Sequence, residues 1–396
     1  MNRRKFLQIT AAAAVTLAAG KMKAAYPRYK PYFETENNGL ENKRKLIIIL
    51  FGGGTRYSES IGDKEHRYIP KLWNEMVPKG TLFTNMRVEH KVVHPNSAGS
   101  IITGFWEWDD LEWTIPVKNP TIFEIYRKAA KAPDINTWAF VYASILAKTG
   151  QSLDKNYGSS FAANIVEPPT IPRAAAEQMD LLMRNAAASA SIDSEIEAAK
   201  KCEELTKSSS HISLEGLRSP RSRSFIEEQY QEWKSSSGTT SHDAFLAQRA
   251  INCMKKFSPD VMSIDFGEID CAHYGSWSRY VEAIARTDEL TYKLWQAANE
   301  MKDYRNKTLF LILPDHGREL DRPGHFGFIH HSNFYTNEDA DEGCRHIWML
   351  AAGPGIKAGQ QIDKPVPITA VAATGLEYLG INASSNAEKS VLNLIV

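Results

Sequence analysis

The sequence has no surplus of charge: 47 Lys and Arg are balanced by 47 Asp and Glu. Without a basic excess there is no long-range field to collect nucleic acid or anionic lipid, so neither is an expected partner; a local cationic pocket for an anionic substrate is compatible with the balance. Cysteine is scarce. The four present, Cys202, Cys253, Cys271 and Cys344, follow no zinc-cluster spacing. Their even number permits disulfides in an oxidising compartment, and Cys271 with Cys344, each beside a candidate metal ligand, is the expected pair. Beyond the N-terminal segment there is no apolar run long enough to cross a bilayer, so no transmembrane segment is expected in the mature chain. There is no internal repeat. What remains, 43% hydrophobic and 24% charged residues in a chain of 396, is an ordinary globular composition. That length suits one large α/β domain with an insertion, or two modest domains.

The first specific signal is Arg3-Arg4-Lys5-Phe6-Leu7-Gln8, followed by the Ala-rich apolar run from Ile9 to Ala19. A charged stretch before a mildly apolar one is the pattern of a twin-arginine export leader. It is expected over residues 1–25, with cleavage between Ala18 and Tyr26. A retained N-terminal helix acting as an anchor is the alternative. The expected location is periplasmic or otherwise exported.

From residue 43 to 396 the pattern is one of buried strands and amphipathic helices. Lys45 to Phe51 is apolar, β-branched and stopped by Gly52-Gly53-Gly54, as expected of a strand covered on both faces of a parallel sheet. Trp138 to Ala143, Val261 to Phe266 and Thr308 to Leu313 have the same character, and Trp348 to Ala352 is a weaker fifth. Helical patterns at Pro120 to Lys131 and Trp277 to Met301 lie between them. The alternation predicts an α/β fold, a doubly wound, mostly parallel sheet flanked by helices. In such sheets ligands collect at the carboxyl ends of the strands. Residues 172–256 lack strand-like runs and hold helical patterns at 174–188, 192–206, 223–235 and 241–256. They read as a helical insertion, either a cap or extra helices on the sheet flank.

Three clusters of potential ligands follow the predicted strands. The first is Asp270-Cys271-Ala272-His273, bounded by Gly275; the second is Pro314-Asp315-His316-Gly317; the third is Cys344-Arg345-His346. Carboxylate with neutral imidazole suits zinc or another borderline divalent cation. Taken singly, each His reads as a structural or surface residue, but three clusters placed beside strands point to a common site.

The order and wording of these blocks resemble the alkaline phosphatase superfamily, which includes phosphodiesterases, sulfatases and cofactor-independent phosphoglycerate mutases. The matching blocks are Gly53-Gly54-Thr55-Arg56, Ile101-Ile102-Thr103-Gly104, Asp270 to Gly275, and Asp315-His316-Gly317 with His346 and Gly353-Pro354-Gly355-Ile356. The resemblance implies a two-metal centre acting on anionic phosphate or sulfate esters. Asp270, His273 and His346 match the ligands of one metal, with one residue fewer than usual between the Asp and the His. Asp315 and His316 match two ligands of the other. The carboxylate the family carries on its first strand is replaced by Gly53. The position of its hydroxyl or thiol nucleophile is held by His94, or by Val93 if the Pro is aligned instead, and the formylglycine pattern of sulfatases is missing.

One replacement can account for both losses. His94 is expected to act as a ligand with Asp315 and His316, with zinc as the first choice of metal and calcium or manganese as alternatives. Arg56 is a candidate contact for an anionic substrate, or a structural ion-pair donor. His325, His330 and His331 are loop histidines able to add a contact. Trp106, Trp108 and Trp113 are expected to pack in the core, or to line a cleft. Two functions remain open: a metal-dependent ester hydrolase, and an inactive relative serving as a binding or structural subunit beside an envelope protein partner.

Overall fold

The computed structural model describes residues 34–37, 44–168, 219–235, 241–272, 277–323, 341–384 and 389–396, with isolated positions between 181 and 216 and Gly327. Its centre is a nine-stranded sheet. The strands are β2 (Lys45–Leu50), β3 (Gly80–Arg87), β4 (Thr137–Val141), β5 (Asn164–Val166), β6 (Val261–Asp265), β7 (Thr308–Leu313), β8 (His346–Ala352), β9 (Gln360–Ile362) and β10 (Val366–Pro367). Their order is β10-β3-β8-β7-β2-β6-β4-β5, with β9 pairing with β3. All pairings are parallel except those of β8, which runs against both β3 and β7. A separate short pair joins β1 (Glu34–Asn37) to β11 (Ile381–Ser384).

The sheet is mostly parallel because its central strands are covered on both faces. On β2, Ile47 and Ile49 enter one apolar cluster, while Leu46, Ile48 and Leu50 enter the other. An uninterrupted apolar run is what such a strand requires. The helices include α1 (His94–Thr103), α2 (Ile122–Ala130), α3 (Pro220–Ser235), α4 (His242–Phe257), the single turn α5 (Glu268–Cys271), α6 (Trp277–Glu300) and α7 (Ala370–Tyr378), with further single turns at Glu342–Arg345 and Leu392–Ile395. α4 and α6 contribute Phe245, Leu246, Met254, Ile284 and Leu294 to the face that holds Ile47 and Ile49. The two described helices of the expected insertion, α3 and α4, therefore lie on the flank of the sheet. The patterns at 174–188 and 192–206 lie mostly outside the described residues. Among the described residues no helix is long and apolar enough to cross a membrane.

Candidate metal centre

Strand register assembles the site before any side chain is considered. Leu50 of β2 lies opposite both Asp265 of β6 and Leu313 of β7, and Val141 of β4 also lies opposite Asp265. The residues that follow, Gly52 to Gly54, Tyr142, Phe266 onward and Pro314 onward, thus emerge at one level on the carboxyl-terminal rim. His94 arrives there as the first residue of α1. The turn after β2 depends on glycine, since Gly52 and Gly54 have φ of 94° and 78°.

His94, Asp315 and His316 are buried, and each offers a ligand atom within 4.8 Å of the others. His94 Nδ1 is 2.7 Å from Asp315 Oδ2, and His316 Nε2 is 3.6 Å from the same oxygen. Two more carboxylates flank the group: Asp265 Oδ1 lies 3.4 Å from His94 Nε2, and Asp270 Oδ1 lies 3.9 Å from His316 Nε2. The ring of Tyr142 is 5.0 Å from that of His94, and its hydroxyl donates to Asp270 Oδ2 at 3.4 Å.

These contacts are close but misdirected. Both ring nitrogens of His94, both carboxylate oxygens of Asp315 and Oδ1 of Asp265 are buried without a hydrogen-bond partner among the described residues. Each such atom costs about 1–3 kcal/mol when nothing compensates it. The ligand atoms of the three residues converge instead on one point, and Gly53 marks it. A Cβ added there would stand 2.7 Å from His316 Nε2, 2.8 Å from His94 Nδ1 and 3.0 Å from Asp315 Oδ1. Two imidazole nitrogens and a carboxylate oxygen form a donor set for a borderline divalent cation, zinc first. The residues present fit such an ion. His316 Nδ1 is 2.9 Å from the Gly317 carbonyl and 3.1 Å from the Gly54 amide, whose N–H also reaches the His316 carbonyl at 2.9 Å; the tautomer that donates from Nδ1 to Gly317 is the one that turns the Nε2 lone pair to the centre, as ligation requires.

Electrostatics agree with the geometry. Burial opposes a charge on His94, but Asp315 and Asp265 outweigh it and hold the ring protonated well above the usual imidazole range. Burial lifts Asp265 to about 6 against the lowering influence of His94. Burial, with Asp270 and Asp265, likewise raises the Tyr142 phenol, which stays a hydrogen-bond donor.

The loops are tied together by Arg318, which is fully buried. Its guanidinium donates to the carbonyls of Gly54 (2.8 Å), Ile269 and Asp270 (3.4 Å), and lies 4.8 Å from the centre of the Tyr280 ring. One side chain thus joins the Gly54 turn, the α5 turn and the segment after His316. Asp243 at the start of α4 accepts from the Gly267 and Glu268 amides at 2.9 and 3.0 Å, and so anchors α5 and its Asp270 to the helical flank.

Other expected site residues are placed elsewhere. His346 does not join Asp270 among the described residues: its Nε2 is 2.7 Å from the Thr84 carbonyl and its ring stacks on Tyr57 at 4.4 Å. The cause is the β3–β8 pairing, in which His346 sits opposite Arg87. Arg56 is buried and bound to Glu59, to Asp321 at 3.1 Å and to the Glu319 carbonyl at 2.9 Å. Those acceptors engage it as a structural ion-pair donor, one of the two readings its position offers. Cys271 and Cys344 are free thiols, which corrects the expected disulfide. Trp108 is buried against Gly99 and Trp113 donates to Asn96, so the tryptophans brace α1. His273, His325, His330, His331 and Cys202 lie outside the described residues.

Asp265, Tyr142 and Arg318 were not singled out from the sequence. Asp265 ends an apolar strand, and that position alone was a usable signal. The other two follow no spacing rule and become visible only when β2, β4, β6 and β7 are side by side.

No protein-family model and no curated protein matches this sequence. Solved structures match the fold at low identity. The phosphonate monoester hydrolase of Agrobacterium radiobacter is 13% identical, with a TM-score of 0.51 over 89% of this chain and 77% of that one. The PsFucS1 sulfatase of Pseudoalteromonas sp. is 14% identical, with a TM-score of 0.52 over 86% and 68%. A mutant of the alkaline phosphatase PafA is 10% identical, with a TM-score of 0.52 over 89% and 99%. The chain has the fold of the alkaline phosphatase superfamily.

Proposed function

We propose that the protein is an exported hydrolase of phosphate or sulfate esters, built around one divalent cation held by His94, Asp315 and His316. The observation that carries this reading is the convergence of three buried ligand atoms on the space left by Gly53. The names of the structural neighbours, a phosphonate monoester hydrolase, a sulfatase and an alkaline phosphatase, support oxyanion esters as the substrate class. The twin-arginine pattern of residues 1–25 supports export.

When bound, a divalent cation supplies Lewis acidity toward an ester oxygen and acidifies water. The chain's own contribution is the frame. His94 and His316 present nitrogen donors, Asp315 neutralises charge, and Tyr142 offers a phenolic proton beside Asp270. Because His94 stands where the family resemblance places a hydroxyl or thiol, the route open to these residues is attack of water on phosphorus or sulfur, breaking its bond to the ester's alcohol, which leaves with the proton that the water gives up. No covalent ester with the chain is involved.

The same substitution favours a second reading, a binding or structural subunit of an envelope complex that has kept the cation site and lost turnover. A panel of chromogenic phosphate mono- and diesters and aryl sulfates, supplied with zinc, manganese or calcium, separates the two. Metal-dependent turnover abolished by His316→Ala establishes the hydrolase. A chain that holds metal yet turns over none of the panel, and copurifies with an envelope protein, establishes the subunit. A purified chain without any divalent cation refutes both.

A further inference from the structure

The loss of the first-strand carboxylate at Gly53 leaves the cation short of negative charge, and the adjoining strand supplies a candidate for making it up. Asp265 is the last residue of β6, opposite Leu50 in the β2 register, and its exposure is 3%. Its Oδ1 has no hydrogen-bond partner among the described residues and stands 3.4 Å from His94 Nε2. The opposite ring nitrogen, Nδ1, is the one that faces Asp315 Oδ2 and the Gly53 space. His94 therefore has a carboxylate at each end, only one of which belongs to the group of converging ligands.

We infer that Asp265 is a positioning residue for the metal centre: it accepts the Nε2 proton of His94 and so fixes Nδ1 as the ligating atom. This rests on the metal-centre reading above. Ligating histidines commonly donate their second ring N–H to a carboxylate, which sets tautomer and ring orientation and makes the ligating nitrogen more basic. Here the 3.4 Å contact is not yet a good hydrogen bond, while Nδ1 already faces the Gly53 space. Asp315 and Asp265 bring two negative charges to a divalent cation with two neutral imidazoles, and Asp270, 3.9 Å from His316 Nε2, adds a third beside the other histidine. A carboxylate lost from β2 is thus replaced from β6, acting through the histidine rather than on the ion.

The test uses the full chain labelled with ¹⁵N-histidine and loaded with ¹¹³Cd as a spectroscopic stand-in. The inference expects cadmium coupling to His94 Nδ1 and a proton on Nε2; coupling to Nε2, or a proton on Nδ1, overturns it. In parallel, zinc affinity is read by chelator competition. Asp265→Ala, which removes the acceptor, should weaken zinc by about 10–100-fold, and Asp265→Asn, which keeps an oxygen acceptor, by less. The metal-free variants should melt lower, because Asp265 is a counter-charge of the buried His94 ring; a merely structural role would show that loss and leave zinc affinity alone. Wild-type affinity in Asp265→Ala overturns the inference while the metal centre stands. Failure of the wild-type chain to bind zinc overturns both. If the variants do not fold, the cadmium spectrum of the wild type decides.

Discussion

The two rims of the central sheet both bury charged side chains, and they treat them in opposite ways. At the amino-terminal rim Lys45 donates to the carbonyls of Ser258 and Pro259 at 2.7 and 3.0 Å and to Asp260 Oδ1 at 3.0 Å. Asp260 Oδ2 accepts in turn from Tyr126 at 2.7 Å and from Asn136. Donors there meet acceptors, and the network is closed. At the carboxyl-terminal rim His94, Asp315 and Asp265 approach one another as closely but point past each other, leaving orphaned atoms. Buried polar groups in folded proteins are nearly always paired. The closed rim is therefore structure, and the open rim is a site awaiting a partner.

The largest expected effect breaks the closed rim. Asp260→Ala leaves Lys45 buried without its counter-charge and should cost about 3–5 kcal/mol of stability in denaturant titrations. Zinc binding per folded molecule should stay unchanged. Asp315→Ala acts on the other rim. Zinc affinity should fall by more than about 100-fold, beyond what an outer partner contributes, and the metal-free variant should also melt lower, because Asp315 is a counter-charge of the buried His94 ring. Lost zinc affinity in Asp260→Ala, or wild-type affinity in Asp315→Ala, would erase the contrast.

Two smaller effects sharpen it. Zinc at 100 times its dissociation constant should stabilise the wild type by about 2.7 kcal/mol and His94→Ala by far less, read as a shift in the denaturant midpoint. Glu107 tests a closed network near the site. It accepts from the Lys118 and Asn119 amides and from the Asn119 side chain at 2.8, 3.0 and 2.8 Å, yet burial raises it to about 7 from 4.5. Between those values the folded state keeps a proton that the unfolded chain has released. Its contribution is thus largest below pH 4.5 and is lost as pH rises toward 7, by roughly 1–3 kcal/mol. Glu107→Gln should flatten that slope while lowering overall stability, because the amide cannot accept from Lys118 N.

Much of the fold was legible because its central strands are buried on both faces. Lys45–Leu50, Val261–Asp265 and Thr308–Leu313 announce themselves as apolar runs. β3 did not: Gly80–Arg87 mixes Thr, Asn and Arg with its apolar residues and shifts register between Phe83 and Met86. α1 was equally hidden, since Pro95, Asn96, Ser97, Gly99 and Ser100 are poor helix formers. It is helical because every one of its residues is buried. At the site, His94, Asp315 and His316 could be named from the sequence because they flank recognisable blocks. Asp265 carried a signal in its place at the end of an apolar strand, but its role depends on strands distant in sequence lying in register. The ring of His346 is placed by its neighbours in the sheet, where it stacks on Tyr57, while His273, its expected partner, lies outside the described residues.

Whether the open rim holds a cation is read by anomalous diffraction at the zinc edge, from crystals of the full chain grown with zinc. One strong peak should appear, bonded to His94 Nδ1, Asp315 and His316 Nε2, beside the Gly53 α-carbon. A zinc-saturated crystal with no peak there, or with His94 paired to its two carboxylates and zinc bound elsewhere, would contradict the metal-centre reading.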